Sequence, residues 1–212
     1  MYQPAHFIEN RLEVLQQLIA AHPLACLVHH DEHGLDADYL PMLLSAPTAA
    51  APFGTLRGHV ARNNPLWKNQ DQVMLLFQGP SAYITPSWYA EKKLNGAVVP
   101  TYNYAVVQAY GRIQLVEDPA VFLALLTDLT QHFETPRSQP WQVSDAPPDY
   151  IRNLMNEIIG IEITLTRLSG KWKTSQNKSL QNRSHIAVSL RDDAPVAAAD
   201  LADLMERQLF EP

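Results

Sequence analysis

Residues 55–67 read Thr55-Leu56-Arg57-Gly58-His59-Val60-Ala61-Arg62-Asn63-Asn64-Pro65-Leu66-Trp67. The mix of apolar and polar residues gives a strand over 55–61, and Arg62-Asn63-Asn64-Pro65 breaks it. Period two puts Arg57 and His59 on the same face of that strand. Gly58 between them lets a second backbone or a ligand come close. Two arginines and an imidazole around a strand end can hold a phosphate, because arginine offers it two parallel hydrogen bonds. The same residues also read as a solvated strand end with a few ion pairs.

Working outward, the chain shows one helix, then many strands, then helices. Asn10 with Glu13 three residues later starts a helix whose face is Leu12, Leu15, Leu18 and Ile19, and His22-Pro23 stops it. Strands follow over 24–30 and 35–44, joined by the turn Asp31-Glu32-His33-Gly34, with Pro41 marking an edge or a bulge. Residues 72–78 read as a buried strand, Gly79-Pro80 as a turn, and 81–85 as a short strand. Residues 98–116 are β-branched and aromatic, a strand with a break near Asn103 or Gly111. Asp118-Pro119 is an N-cap followed by proline at the first helical position, and that helix turns Phe122, Leu125, Leu126 and Leu129 inward. A loop rich in proline follows, then a short helix over 149–158 that Gly160 ends. A half-exposed strand covers 161–166, and helices cover 182–190 and 197–210. Short strands with turn signals between them suggest a barrel, and alternating βαβ units are absent. The class is mainly β with flanking helices.

The 212 residues carry a net charge of −6, and 18% are charged. A nucleic-acid-binding surface is usually basic, so this balance argues against DNA and against an anionic membrane surface. The lone cysteine, Cys26, lies in an apolar run and reads as a small core residue. No stretch reads as a signal peptide or a membrane span, so the expected location is the cytoplasm. Glycine-rich phosphate loops, a GxSxG elbow and an HExxH pair are all missing from the sequence.

Three further segments could carry chemistry. Gly170-Lys171-Trp172-Lys173-Thr174-Ser175-Gln176-Asn177-Lys178 gathers cations, hydroxyls and amides around a tryptophan. This composition suits a ligand with a phosphate and a flat ring that stacks on Trp172, and it equally suits an exposed loop. Pro86-Ser87-Trp88-Tyr89 and Pro100-Thr101-Tyr102-Asn103-Tyr104 are dense in aromatics, as pockets, subunit interfaces and plain cores are. His29-His30-Asp31-Glu32-His33 suggests a metal, but adjacent histidines on a strand point apart, so a polar hairpin tip is the expectation and no metal is assigned.

Four of these stretches in order resemble the PaiB-like family, FMN-binding regulators related to the pyridoxamine-phosphate oxidases: residues 56–65, 77–89, 99–104 and 170–177. Residues 150–162 fit as well, and the resemblance runs from about residue 7 to residue 190. It implies a six-stranded antiparallel FMN-binding split β-barrel over 1–190, a C-terminal helical extension over 191–212, and a homodimer with FMN at its interface. It places Arg57, Gly58, His59, Val60, Ala61, Arg62, Asn64, Gln78, Lys173, Ser175, Gln176 and Asn177 at the flavin. Arg57 or Arg62, with Lys171 or Lys173, would neutralise the phosphate. The family's Thr-His-Leu-Pro is here Asp38-Tyr39-Leu40-Pro41, so chemistry depending on that histidine is in doubt, and its Trp-Asn-Tyr is Tyr102-Asn103-Tyr104.

The function expected is that of a transcriptional or metabolic regulator that binds FMN. The acidic last helix, with Asp200, Asp203 and Glu206, speaks against direct contact with DNA. One alternative is an FMN-dependent oxidoreductase in which His59, Tyr102 or Tyr104 assists proton transfer. Another is a haem-binding module with His29, His30 or His59 as axial ligand.

Overall fold

The computed structural model describes residues 1–68, 72–192 and 199–210. Strand β1 (Ile8–Glu9) precedes helix α1 (Leu12–Ala21), and strands β2 (Leu24–Asp31), β3 (Gly34–Pro41), β4 (Leu43–Ser45), β5 (Thr55–Ala61) and β6 (Gln72–Ile84) follow. After β7 (Thr101–Val116) come α2 (Pro119–Glu134), α3 (Pro148–Asn156), the long strand β8 (Ile158–Lys173), α4 (Leu180–Asp192) and α5 (Ala199–Phe210). The strand order is β3-β2-β6-β7-β8-β5-β4, and β1 pairs with β8. Every register that can be read residue by residue is antiparallel.

The chain divides into two compact units. The first holds Met1–Leu15, Gln78–Val107 and Ser169–Pro212. Its core is Ile84, Tyr89, Ile186, Leu190, Leu201 and Met205, so α4 and α5 close on each other over the end of β6. The second holds Gln16–Phe77 and Gln108–Leu168. There Leu27, Leu56, Leu75, Phe77, Ile161 and Ile163 are fully buried, and Phe122, Leu125 and Leu129 bring α2 onto the sheet. Fully burying one such side chain stabilises by about 1.5–3 kcal/mol.

Local signals explain much of this. Asp118 caps α2 by accepting from the backbone N–H groups of Ala120 (2.8 Å) and Val121 (3.1 Å). The β2–β3 turn uses Gly34 at φ +118°, and Asp31 accepts from the N–H of His33 at 2.8 Å. Pro41 ends β3, and the chain resumes as β4 after the buried Met42.

Five expectations need correction. Gly79-Pro80 does not turn, since β6 runs unbroken from Gln72 to Ile84. Proline's fixed φ fits an extended backbone, and the β2–β6 register has already ended at Leu76. β7 is likewise unbroken at Asn103 and Gly111, and begins at Thr101 rather than at residue 98. Gly111 is there for close approach: a Cβ on it would meet Ile163 Cγ2 and the carbonyl oxygen of Thr164 at 2.6 Å each. Gly160 does not end a helix. It lies inside β8 and pairs with His59, where a Cβ would strike the Phe122 ring. β8 itself continues to Lys173, well past the expected 161–166. α5 begins at Ala199, and residues 197 and 198 of the expected helix, like 193–196 and 211–212 of the expected extension, lie outside the described residues.

Candidate functional site

The sequence-chosen residues fall into two groups, one in each unit. In the second unit, β5 buries Leu56, Gly58 and Val60 on one face and holds Arg57 and His59, half-buried, on the other. Gly58 sits tight, because a Cβ there would lie 2.8 Å from Met42 Sδ and 3.0 Å from the carbonyl oxygen of Pro41. Arg57 Nη2 donates to Asp128 Oδ2 of α2 at 3.1 Å. Arg62 Nε and Nη2 donate to the carbonyl oxygens of Asn156 and Ile158, the latter at 3.2 Å. Asn64 is fixed from both ends: its Nδ2 donates to Asp38 Oδ1 at 2.6 Å, and its Oδ1 accepts from the N–H of Leu66 at 2.8 Å. Asp38 Oδ2 also lies 3.4 Å from Nε2 of the buried His29.

Two side-chain nitrogens of β5, Arg57 Nε and His59 Nδ1, are buried with no hydrogen-bond partner among the described residues. Such groups are rare in native proteins and cost free energy unless a ligand or water satisfies them. Burial also pushes the His59 imidazole below its ordinary pKa, so it is neutral at pH 7 and can accept or donate a hydrogen bond.

In the first unit, Lys173 ends β8 and its Nζ donates to Thr101 Oγ1 and to the carbonyl oxygen of Tyr102. Burial lowers the Lys173 pKa, and the charge of Lys171 lowers it further. Lys171 is itself buried, donates to the carbonyl oxygen of Tyr2 at 3.1 Å, and lies 5.5 Å from the ring centroid of Tyr104. Ser175 adopts φ +66°, a left-handed conformation that costs a non-glycine residue energy. Buried Asn103 holds it there, with Nδ2 donating to Ser175 Oγ at 3.0 Å. The buried Tyr89 hydroxyl also bonds Ser175, and burial raises its pKa against that bond. Gln176 folds back, its Nε2 donating to the carbonyl oxygen of Trp172 at 2.6 Å. Asn177 and Gln78 are exposed.

Trp172 is 2% exposed and belongs to the core, so it does not offer the stacking platform that its polar neighbours suggest. Residues 170–173 are the end of β8 and residues 174–178 form the turn after it, with Asn177 the one exposed residue of the segment. Sequence reasoning missed Asn103 and Asp128 as the partners of Ser175 and Arg57. Alternation along Tyr102-Asn103-Tyr104 puts Asn103 opposite two aromatics and was the available signal; Asp128 had none. His33 Nε2 lies 3.6 Å from Glu32, and among the described residues no three His, Cys, Asp or Glu side chains group as a metal site.

Two solved structures share the fold. The flavocytochrome Anf3 of Azotobacter vinelandii superposes with a TM-score of 0.57 at 15% identity, covering 80% of this chain and 70% of its own. The FAD and haem binding protein of Mycobacterium smegmatis gives 0.56 at 12%, covering 78% and 73%. The antiparallel sheet with flanking helices thus has the fold of the split barrels, with eight strands rather than the expected six and with the sheet not closed. The family described as "Putative FMN-binding domain" matches residues 1–167, and the chain belongs to it. An uncharacterised protein of Emericella nidulans is 35% identical over 98% of this chain and 97% of its own. Protease synthase and sporulation protein PAI 2 of Bacillus subtilis is 26% identical over 99% and 98%, which bears out the PaiB-like resemblance. FMN is the cofactor this membership assigns.

The residues present fit that cofactor. FMN brings a phosphate, a hydroxylated chain and a ring with carbonyls and nitrogens. The unpartnered Arg57 Nε and His59 Nδ1 can meet acceptors or hydroxyls, Arg62 and Lys173 supply positive charge, and Asn177 supplies an exposed amide.

Proposed function

We propose that the chain is a PaiB-type regulator that works as a homodimer with FMN at the interface, in the cytoplasm and without contacting DNA directly. The observation that carries the flavin site is the pair of buried, unpartnered nitrogens on one face of β5, Arg57 Nε and His59 Nδ1. The contact set proposed is Arg57, Gly58, His59, Val60, Ala61, Arg62 and Asn64 from the second unit, with Gln78, Lys173, Ser175, Gln176 and Asn177 from the first. Arg62 in the second unit and Lys173 in the first are each, taken separately, candidates for the phosphate charge, and the neutral His59 orients a hydroxyl or a ring nitrogen. Bound FMN supplies two-electron redox chemistry.

The regulatory part rests on likeness to the Bacillus subtilis protein along the whole chain. No helix of the described residues is long and apolar enough to cross a membrane. The test is a visible spectrum of the purified protein before and after FMN is added and excess removed by gel filtration. Retained flavin bands in a dimer-sized peak, lost on Arg62→Ala and Lys173→Ala, are expected. A folded wild type that retains none refutes the site. Rapid, repeated oxidation of NADPH by the loaded protein would favour the oxidoreductase over the regulator.

A further inference from the structure

A second cavity lies wholly within the second unit and shares no residue with the flavin set. It is a cleft, partly open to solvent, of about 690 Å³ between α2, the loop after it and α3. Ligand pockets run from roughly 300 to 1,000 Å³. Its walls are mainly apolar, with Leu123 from α2, Val143 from the loop, and Ile151 and Met155 from α3. Leu123 and Trp141 stand on it 40% and 44% exposed, a poor arrangement for side chains with nothing to cover.

The loop that walls the cavity is built, not slack. The N–H of Trp141 donates to Glu134 Oε2 at 3.0 Å, and the N–H of Gln142 donates to Asp145 Oδ2 at 2.9 Å. Arg137 returns its N–H to the carbonyl oxygen of Glu134 at 2.8 Å. Pro136, Pro140, Pro147 and Pro148 stiffen the path between these ties.

Charge decides what fits. Glu134 lines the cavity half-buried, one carboxylate oxygen accepting from the Trp141 N–H, and among the described residues it forms no ion pair. The lining cation, Arg152, is paired with Asp149. A ligand anion would be repelled by Glu134, whereas a cation would complement it.

We propose that this cavity binds an apolar organic monocation of drug-like size, its body against Leu123, Val143, Ile151 and Met155, its charge toward Glu134. The chain thereby has a ligand site separate from its flavin.

Tetraphenylphosphonium and tetraphenylborate have the same shape and opposite charge, so they isolate the two parts of the proposal. Each is titrated calorimetrically into the full chain saturated with FMN. One phosphonium is expected per chain at micromolar affinity, with borate at least tenfold weaker and the flavin retained. Glu134→Gln should weaken the phosphonium about fivefold or more and narrow the gap. Leu123→Arg, on an exposed position, should abolish phosphonium binding, and Ser144→Arg gives the same reading from the loop if the first variant does not fold. Borate binding as tight as phosphonium, no phosphonium binding below millimolar, release of FMN on binding, or indifference to both arginine variants overturns the proposal.

Discussion

Gly160→Ala tests how the candidate site is held in place. Gly160 pairs with His59 across the β5–β8 ladder, and α2 lies on that face. A Cβ at 160 would sit 2.6 Å from Phe122 Cδ2, 3.0 Å from Cε2 and 3.0 Å from Val116 Cβ. Carbon atoms rest at about 3.5–4.0 Å, so the overlap with the ring is about 1 Å. Phe122 is only 6% exposed and has little room to turn. The helix must lift or the ring must leave its rotamer, at about 1–3 kcal/mol. For a chain of this size that lowers the melting temperature by about 2–12 °C. The assay is urea unfolding followed by circular dichroism, with the slope unchanged and the midpoint lowered. Phe122→Leu supplies the control: it costs about 1–2 kcal/mol itself but takes away the ring edge. In that background Gly160→Ala should cost less than half as much, a coupling of the size seen for touching residues. A neutral Gly160→Ala, or an equal penalty in both backgrounds, would refute the account of this glycine.

Asp128→Asn frees Arg57 from its carboxylate, and FMN should then bind roughly 3- to 10-fold tighter by equilibrium dialysis, the scale of one partly exposed charge; unchanged affinity would take Arg57 out of the phosphate site. His59 has a lowered folded pKa, so its unfolded form binds the extra proton and stability is lost as pH falls through the ordinary histidine value toward the lower folded one. His59→Gln should flatten the decline of the urea midpoint between about pH 6.5 and 5, with no change at pH 8. At Ser175, alanine keeps the left-handed strain and loses the bonds to Asn103 and Tyr89, whereas glycine loses the bonds and the strain together. The expected stability order is serine, glycine, alanine, with alanine about 1–3 kcal/mol below serine by thermal unfolding; glycine above serine would mean that the bonds do not offset the strain.

The sequence reads well where a signal is local. The strand over 55–61 and the Asp118-Pro119 helix start depend on neighbouring residues, and both stand where alternation and capping put them. Glycine and proline misled where their reason for being there is distant. Gly111 and Gly160 look like breaks because the sequence shows a missing Cβ and not the Ile163 or Phe122 side chain that takes its space. Trp172 looks exposed among lysines, yet β1 returns to pair Ile8 with Lys171 and Glu9 with Gly170, a contact across more than 160 residues of chain. Three consecutive buried residues, Gly170, Lys171 and Trp172, follow from that pairing and defeat any alternation rule. The residues proposed for the flavin stand out in the sequence only as types that suit a phosphate. Their partners do not stand out, because Asp128 on α2 and Asn103 on β7 are ordinary residues until folding sets them beside Arg57 and Ser175.

Those partners change what the cations can do. A cation that donates to backbone carbonyls keeps its full charge, while one that donates to a carboxylate has it largely cancelled. Arg62 and Lys173 are of the first kind, held by carbonyl and hydroxyl oxygens, and Arg57 is of the second. Each unit therefore offers one cation whose charge no carboxylate cancels among the described residues, Arg62 in the second and Lys173 in the first. Arg57 contributes its unpartnered Nε as a directed donor rather than as a charge. Lys173 adds a further condition: burial and Lys171 already disfavour its protonated form. An arriving dianion reverses that balance by restoring a counter-charge, so phosphate binding and protonation of Lys173 reinforce each other. The like-charged pair Lys171 and Lys173 is then understandable in a chain of net charge −6: it is held in the fold by oxygens of Tyr2, Thr101 and Tyr102 rather than by an acid that a phosphate would have to displace.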